Sequence, residues 1–138
     1  MTLRALALRA ATPFATLLLA ATAPAPLGGG IDGLWRNPKG TVVVRAAPCG
    51  AELCGTVVWA AAQAIADARD GGNDRLVGTR LLRDYRRDGP AHWSGVVFVP
   101  DLGRTVHSTI QLKAPDRIEV AGCIFHGLLC KRQQWTRA

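Results

Sequence analysis

Serine is nearly missing from this chain: Ser94 and Ser108 are the only two. Neither stands in the Gly-x-Ser-x-Gly setting that exposes a nucleophile on a strand-to-helix elbow. Acids are scarce, with 10 Asp and Glu against 17 Lys and Arg. They sit mostly in turns, Glu119 being the clearest exception, so no pair is set up to converge as glycoside hydrolysis requires. The three histidines, His92, His107 and His126, fall on separate segments with no two at metal-ligand spacing. Beyond the N-terminal segment no apolar run approaches the ~20 residues that span a bilayer. No long helical period separates the apolar runs, which excludes parallel βαβ units. These absences leave no catalytic residue, cofactor or metal site to nominate.

The N-terminus carries an address. Arg4 and Arg9 form a positive start, Ala10 to Ala23 has no charge, and Phe14–Leu19 is strongly apolar. Small residues follow, and Ala21-Thr22-Ala23 fits the A-x-A pattern of a secretory signal peptide, expected over residues 1–23. Pro24 is a poor residue directly after a cut, so cleavage falls after Ala21 or a little later. With no Cys near residue 20, a lipoprotein anchor is not expected, nor is a transmembrane anchor after processing. The expected location is the periplasm or the exterior. Residues 24–30, Pro-Ala-Pro-Leu-Gly-Gly-Gly, form a tether, and a single domain is expected over 31–138.

The formal charge is +7, of which Arg4 and Arg9 supply two, leaving +5 in the mature chain. Such a charge favours anionic partners in general. The basic residues are scattered, and the densest group, Arg83, Arg86 and Arg87, is interleaved with Asp84 and Asp88, so no nucleic-acid partner is expected. All four cysteines, Cys49, Cys54, Cys123 and Cys130, lie in the mature part. An even count in a small exported domain reads as a disulfide framework. Three connectivities are open; proximity in sequence favours Cys49–Cys54 and Cys123–Cys130. The C-x4-C and C-x6-C spacings are loose for zinc. Asp67, Asp70, Asn73 and Asp74 offer oxygen ligands on one loop but lack calcium-loop spacing, and Arg69 and Arg75 offset their charge.

From Ile31 the chain reads as short strand-like runs separated by turn residues. The runs are Ile31–Arg36, Thr41–Ala46, Leu53–Ala60, Arg80–Tyr85, Trp93–Val99, Arg104–Leu112, Arg117–Cys123 and Cys130–Arg137. Turns are expected at Asn37–Gly40, Pro48–Gly50, Asp88–Pro90, Pro100–Gly103 and Ala114–Asp116. In Arg104–Leu112, Thr105, His107, Thr109 and Gln111 face one way and Val106, Ser108, Ile110 and Leu112 the other. Residues 60–75 break the rhythm as a short alanine helix or a long loop. The fold class is therefore all-β: a small antiparallel barrel of about eight strands, closed or nearly so, since closure removes exposed edges.

Gly33-Leu34-Trp35 on the first strand resembles the Gly-x-Trp signature of lipocalin and calycin barrels. In those families the tryptophan closes the barrel floor under an arginine from the last strand. Here Gln134-Trp135-Thr136-Arg137 supplies that arginine, so Trp35 and Arg137 are the expected barrel-closing pair. A larger constellation joins Val44-Arg45, Cys49-Gly50-Ala51-Glu52-Leu53-Cys54-Gly55, Val58-Trp59, Leu81-Leu82, Trp93-Ser94-Gly95, Pro100-Asp101-Leu102-Gly103, Gly122-Cys123 and the terminal Gln134-Trp135-Thr136-Arg137. From about residue 31 to the C-terminus it is similar to a family of small secreted bacterial proteins, domain of unknown function 2147. The resemblance implies a compact lipocalin-like barrel and brings no reaction. The alanine-rich Ala60–Ala64 departs from the lysine- and proline-containing stretch the family leads one to expect.

A small barrel suits a small apolar or amphipathic ligand, or a cell-envelope component. The inner face is expected to include Val42, Val44, Val57, Trp59, Val97, Val99, Ile110 and Val120, with Val44, Trp59, Val97 and Ile110 the candidates to face a ligand. If side chains fill so short a barrel, binding moves to the open end near residues 60–78. Two other functions compete: an interaction module reading anionic polymer through Arg83, Arg86 and Arg87, and an envelope hydrolase with two polar groups of perturbed pKa in one cleft.

Overall fold

The computed structural model describes Ala20 and residues 30–124 and 127–138; the expected signal segment and tether otherwise lie outside the described residues. Eight strands and one helix follow in order: β1 Gly33–Arg36, β2 Val42–Cys49, β3 Glu52–Ala60, α1 Ala62–Asp70, β4 Arg80–Gly89, β5 His92–Val99, β6 Arg104–Ala114, β7 Arg117–Ile124 and β8 Leu129–Arg137. Every strand pairs antiparallel with the next, and β1 pairs with β8, which closes the barrel.

Antiparallel order sorts the connections to two ends. The floor holds the start of β1, the β2–β3, β4–β5 and β6–β7 turns and the end of β8. The mouth holds the β1–β2, β5–β6 and β7–β8 turns and the segment from α1 to β4. The floor half is filled by large side chains, among them Ile31, Trp35, Tyr85, Trp93, Ile110 and Ile118, all essentially without solvent contact. Two glycines make this packing fit. A Cβ at Gly55 would meet Leu82 at 2.6 Å and Val44 at 2.8 Å, and one at Gly95 would strike the Tyr85 ring at 2.7 Å. The aromatic ring thus lies directly on bare backbone.

Helix α1 forms because Ala62–Asp70 is rich in good helix formers and ends with Arg69 in the last turn, where the helix dipole favours a cation. It begins against the β1–β2 turn, where the Ala61 amide donates to the Thr41 carbonyl at 2.8 Å. It ends at Gly71, which sits against the Pro100–Asp101 backbone with no room for a side chain. The helix therefore crosses the mouth as a bar, burying Ala68 and packing Ala64 and Ile65 on the core. Leu76, in the segment that follows, is buried as well.

Three features of the strands differ from the sequence reading. β2 continues through Pro48 to Cys49, which pairs with Glu52, so the turn is Gly50-Ala51, with φ of +70° at Gly50. β4 runs to Gly89, which pairs with His92. The third is a correction: Trp59 does not face the interior. Val43 pairs with Trp59 but Val44 pairs with Val57, which leaves Val58 as the extra residue of a β-bulge. A bulge inverts the alternation beyond it, so Trp59 turns outward, 49 % exposed. In β4, Asp84 adopts φ of +56° at another bulge.

Disulfides join Cys49 to Cys54 and Cys123 to Cys130. The first clamps the β2–β3 hairpin and the second links direct cross-strand partners of β7 and β8. Each closes a short loop, so the chain-entropy gain is about 2 kcal/mol apiece. Replacing Cys49 and Cys54 together by serine lowers the unfolding free energy by about 2 kcal/mol, measured by urea denaturation. The fold, read by circular dichroism, is retained.

Candidate functional site

The floor is locked by one side chain. The Arg137 guanidinium stacks over the Trp35 ring at 4.1 Å. Its two Nη groups donate to the Gly30 and Asp32 carbonyls and its Nε to the Pro115 carbonyl at 3.0 Å. Trp35 Nε1 in turn donates to the Ile31 carbonyl at 2.7 Å. Gly33, at φ of +126°, leaves the space in which the guanidinium lies. The structure thus brings Trp35 and Arg137 together. Two spaces lie at the floor: a small cavity of about 40 Å³ between Leu53, Tyr85, Arg87 and Trp93, enough for a water or so, and an open groove of about 390 Å³ along Gly30, Leu112, Lys113, Ala114 and Pro115.

Of the residues nominated to face a ligand, Val44 and Ile110 are completely buried in the packed half. Val97 is half-buried on the inner wall. It belongs to a second region, where inward register positions keep solvent contact: Val106 on β6, Gly122 on β7 and Gln133 on β8. Two gaps explain this exposure. α1 bars the mouth from the β1–β2 turn to the β5–β6 turn, leaving the β6–β8 side uncovered. β1 meets β8 at only two positions, Trp35 with Arg137 and Arg36 with Thr136, so the β8 residues nearer the mouth have no β1 neighbour.

The mouth is also where the exposed large apolar side chains gather: Val58, Trp59, Val77, Leu102, Leu128 and Leu129. They come from the β3 end, the loop after α1, the β5–β6 turn and the β7–β8 turn. Clustered apolar exposure of this kind marks interaction sites more often than scattered single residues do.

Deeper in the barrel lies a feature that sequence reasoning missed. Ser108 is 5 % exposed and Tyr85 not at all, and neither hydroxyl has a hydrogen-bond partner of good geometry. Burial drives the Tyr85 phenol pKa far above its ordinary value, and the nearby Ser108 hydroxyl offsets part of that rise. A buried hydroxyl left unpaired costs about 1–3 kcal/mol. The signal was present in the alternation, which put Ser108 on the face of Val106 and Ile110. Only the folded register adds that Gly95 and Gly122 flank it.

The remaining polar groups are engaged elsewhere. Arg83 stacks on Phe98 at 4.7 Å and Arg87 on Trp93 at 5.4 Å, while Arg86 is paired with Glu52 at 2.6 Å. These three do not form a free cationic patch. His92 Nδ1 and Ser94 Oγ both converge on the Asp88 carboxylate. The serine thus donates to the acid and not to the imidazole, and no base faces it. Asp88, on the outer surface of the β4–β5 hairpin, and Tyr85, inside the barrel, share no cleft. Among the described residues no three His, Cys, Asp or Glu side chains are placed to hold a metal ion; His126 lies outside them. Asn73 serves its own loop, bonding Thr79 Oγ1 and the Arg75 amide.

An eight-stranded meander closed by a tryptophan and arginine at its floor defines the class: a lipocalin-like barrel. The chain belongs to the family described as "Uncharacterized protein conserved in bacteria (DUF2147)", whose model matches residues 33–137. Among solved structures it is similar to the protein HP1028 of Helicobacter pylori, described as belonging to the lipocalin family, with a TM-score of 0.58 and 13 % identity. That match covers 78 % of this chain and 82 % of the other, and at this identity it speaks for the fold alone. No curated protein matches the chain.

Two outcomes are expected. Arg137→Lys keeps the charge but loses the stacked plane and the fork of carbonyl bonds, lowering stability by about 2–3 kcal/mol in chemical denaturation. Asp88 titrates below its ordinary range because Ser94 and then His92 bond its carboxylate. A depressed folded-state pKa contributes stability above the unfolded value, near 4, that is lost as pH falls through the folded one. Melting temperature measured from pH 6 to pH 2 therefore falls less steeply in Asp88→Asn than in the parent.

Proposed function

We propose that this protein is an exported binding protein that takes a small amphipathic ligand at the mouth of its barrel. The observation that carries the reading is the contrast between the two halves. The floor half is filled by the chain's own aromatic residues, whereas inner-wall positions toward the mouth keep solvent contact within a rim of exposed apolar side chains. A ligand lodged there would cover Val97, Val106 and Gly122 on the inner wall. Burying such apolar surface contributes about 25 cal/mol per Å². The lipocalin-like fold supports this reading, since small barrels hold one small ligand. Export to the periplasm or the exterior is supported by the leader-like N-terminus and by two disulfides. No helix among the described residues is long and apolar enough to cross a membrane.

The test is to express the chain with its leader in a bacterial host and purify it from the periplasm without detergent. Native mass spectrometry should show an adduct in the lipid mass range, and an environment-sensitive naphthalene sulfonate dye should saturate at micromolar concentration. Gly122→Leu, which fills the inner wall between Val97 and Val106, is expected to weaken dye binding at least tenfold without altering the circular dichroism spectrum. Dye binding that never saturates, or that Gly122→Leu leaves untouched, would remove the mouth as the site.

A further inference from the structure

The inner wall carries one row of cross-strand partners with an unusual composition. Lys131 on β8 pairs with Gly122 on β7, Gly122 with Ser108 on β6, and Ser108 with Gly95 on β5. The Tyr85 ring of β4 lies on Gly95. Polar side chains thus alternate with glycines across the wall, from an exposed ammonium at the mouth to two buried hydroxyls in the interior. Lys131 shares the inward parity of Gln133 and Trp135, and it has no ion-pair partner among the described residues. The glycine between Lys131 and Ser108 makes a dip walled by Val106 and Val97, which a Cβ at position 122 would meet at 3.4 and 3.8 Å.

The donor arithmetic points to what such a dip accepts. Ser108 and Tyr85 each bring one O–H. If either hydroxyl donates to the other, one hydrogen is still unspent, since neither has a partner of good geometry among the described residues. Lysine brings further donors and no acceptor. Alternate strands lie about 10 Å apart, a gap that the flexible lysine stem spans in large part. A group seated over Gly122 would then lie between the ammonium and the serine hydroxyl. It must be an acceptor, and next to an ammonium in so sheltered a place a negative charge is favoured.

We infer that this row is a polar subsite for the carboxylate of an amphipathic acid, held over Gly122 by the Lys131 ammonium and the Ser108 hydroxyl, with the Tyr85 hydroxyl behind. The inference rests on the mouth being a ligand site and adds the chemistry of the ligand's polar end. The hydrocarbon part then lies outward along Val97 and Val106 toward the apolar rim. The Lys131 ammonium selects acids over neutral lipids and repels amines.

The experiment compares dodecanoic acid, dodecanol and dodecylamine for displacement of the naphthalene sulfonate dye at pH 7.5, below their aggregation limits. The acid should compete at least tenfold better than the alcohol, and the amine worst. Lys131→Met should remove most of the acid's advantage while leaving the alcohol unchanged; Ser108→Ala should weaken the acid three- to tenfold. Lys131 is exposed, so its variant is expected to fold, and a matching melting temperature confirms this. Equal competition by acid and alcohol, or equal losses for both in Lys131→Met, would overturn the carboxylate subsite and leave ligand binding at the mouth intact. Failure of all three compounds to displace a dye that does bind would overturn the subsite. A dye that never binds would overturn the mouth reading with it.

Discussion

At the seam of this barrel one guanidinium adds to a short backbone ladder. β1 is only four residues long and touches β8 at two of them, far too little ladder to hold two sheet edges together on its own. Arg137 supplies what the ladder lacks by gripping three carbonyls from two separate loops while lying flat on Trp35. The planar fork suits this task where a lysine would not. Much follows from it: Gly33 must be glycine, Ile31 must turn its carbonyl to the indole, and the chain must enter at the floor and not at the mouth.

With the floor fixed, the interior becomes graded. Tryptophans and Tyr85 occupy the bottom, glycines and Ser108 the middle, and valines the top, where the helix bar leaves one side open. The interior is packed closely at its base by these rings and more open toward the end where the wall residues are small. The same gradient explains the two stranded hydroxyls. They sit together at the boundary where close packing stops, without partners of good geometry among the described residues.

Most of the strands could be read from sequence because their faces alternate cleanly. Arg104–Leu112 appears in the structure on the faces its pattern implied, and the alanine-rich stretch within residues 60–75 is the helix Ala62–Asp70. What could not be read is what alternation does not encode. The extra residue at Val58 reverses Trp59, and a bulge of this kind has no composition signature when its residue is an ordinary valine. Asp84 is similar, an aspartate in a left-handed conformation within a strand. The polar row was hidden for a different reason. Its members are spread over five strands from residue 85 to residue 131, and only cross-strand register places them side by side.

The brevity of β1 has one more effect. Along residues 129–134 the backbone of β8 has a ladder on its β7 side only, which makes the molecule's wall a sheet with one short exposed border. Borders of that kind invite a strand from a neighbouring chain and, at high concentration, fibrous association. Here the border carries Lys131, exposed and without an ion-pair partner among the described residues, beside Arg132, which is paired with Glu119 at 2.9 Å; two copies approaching edge to edge would bring the lysines together, and edge lysines discourage such pairing.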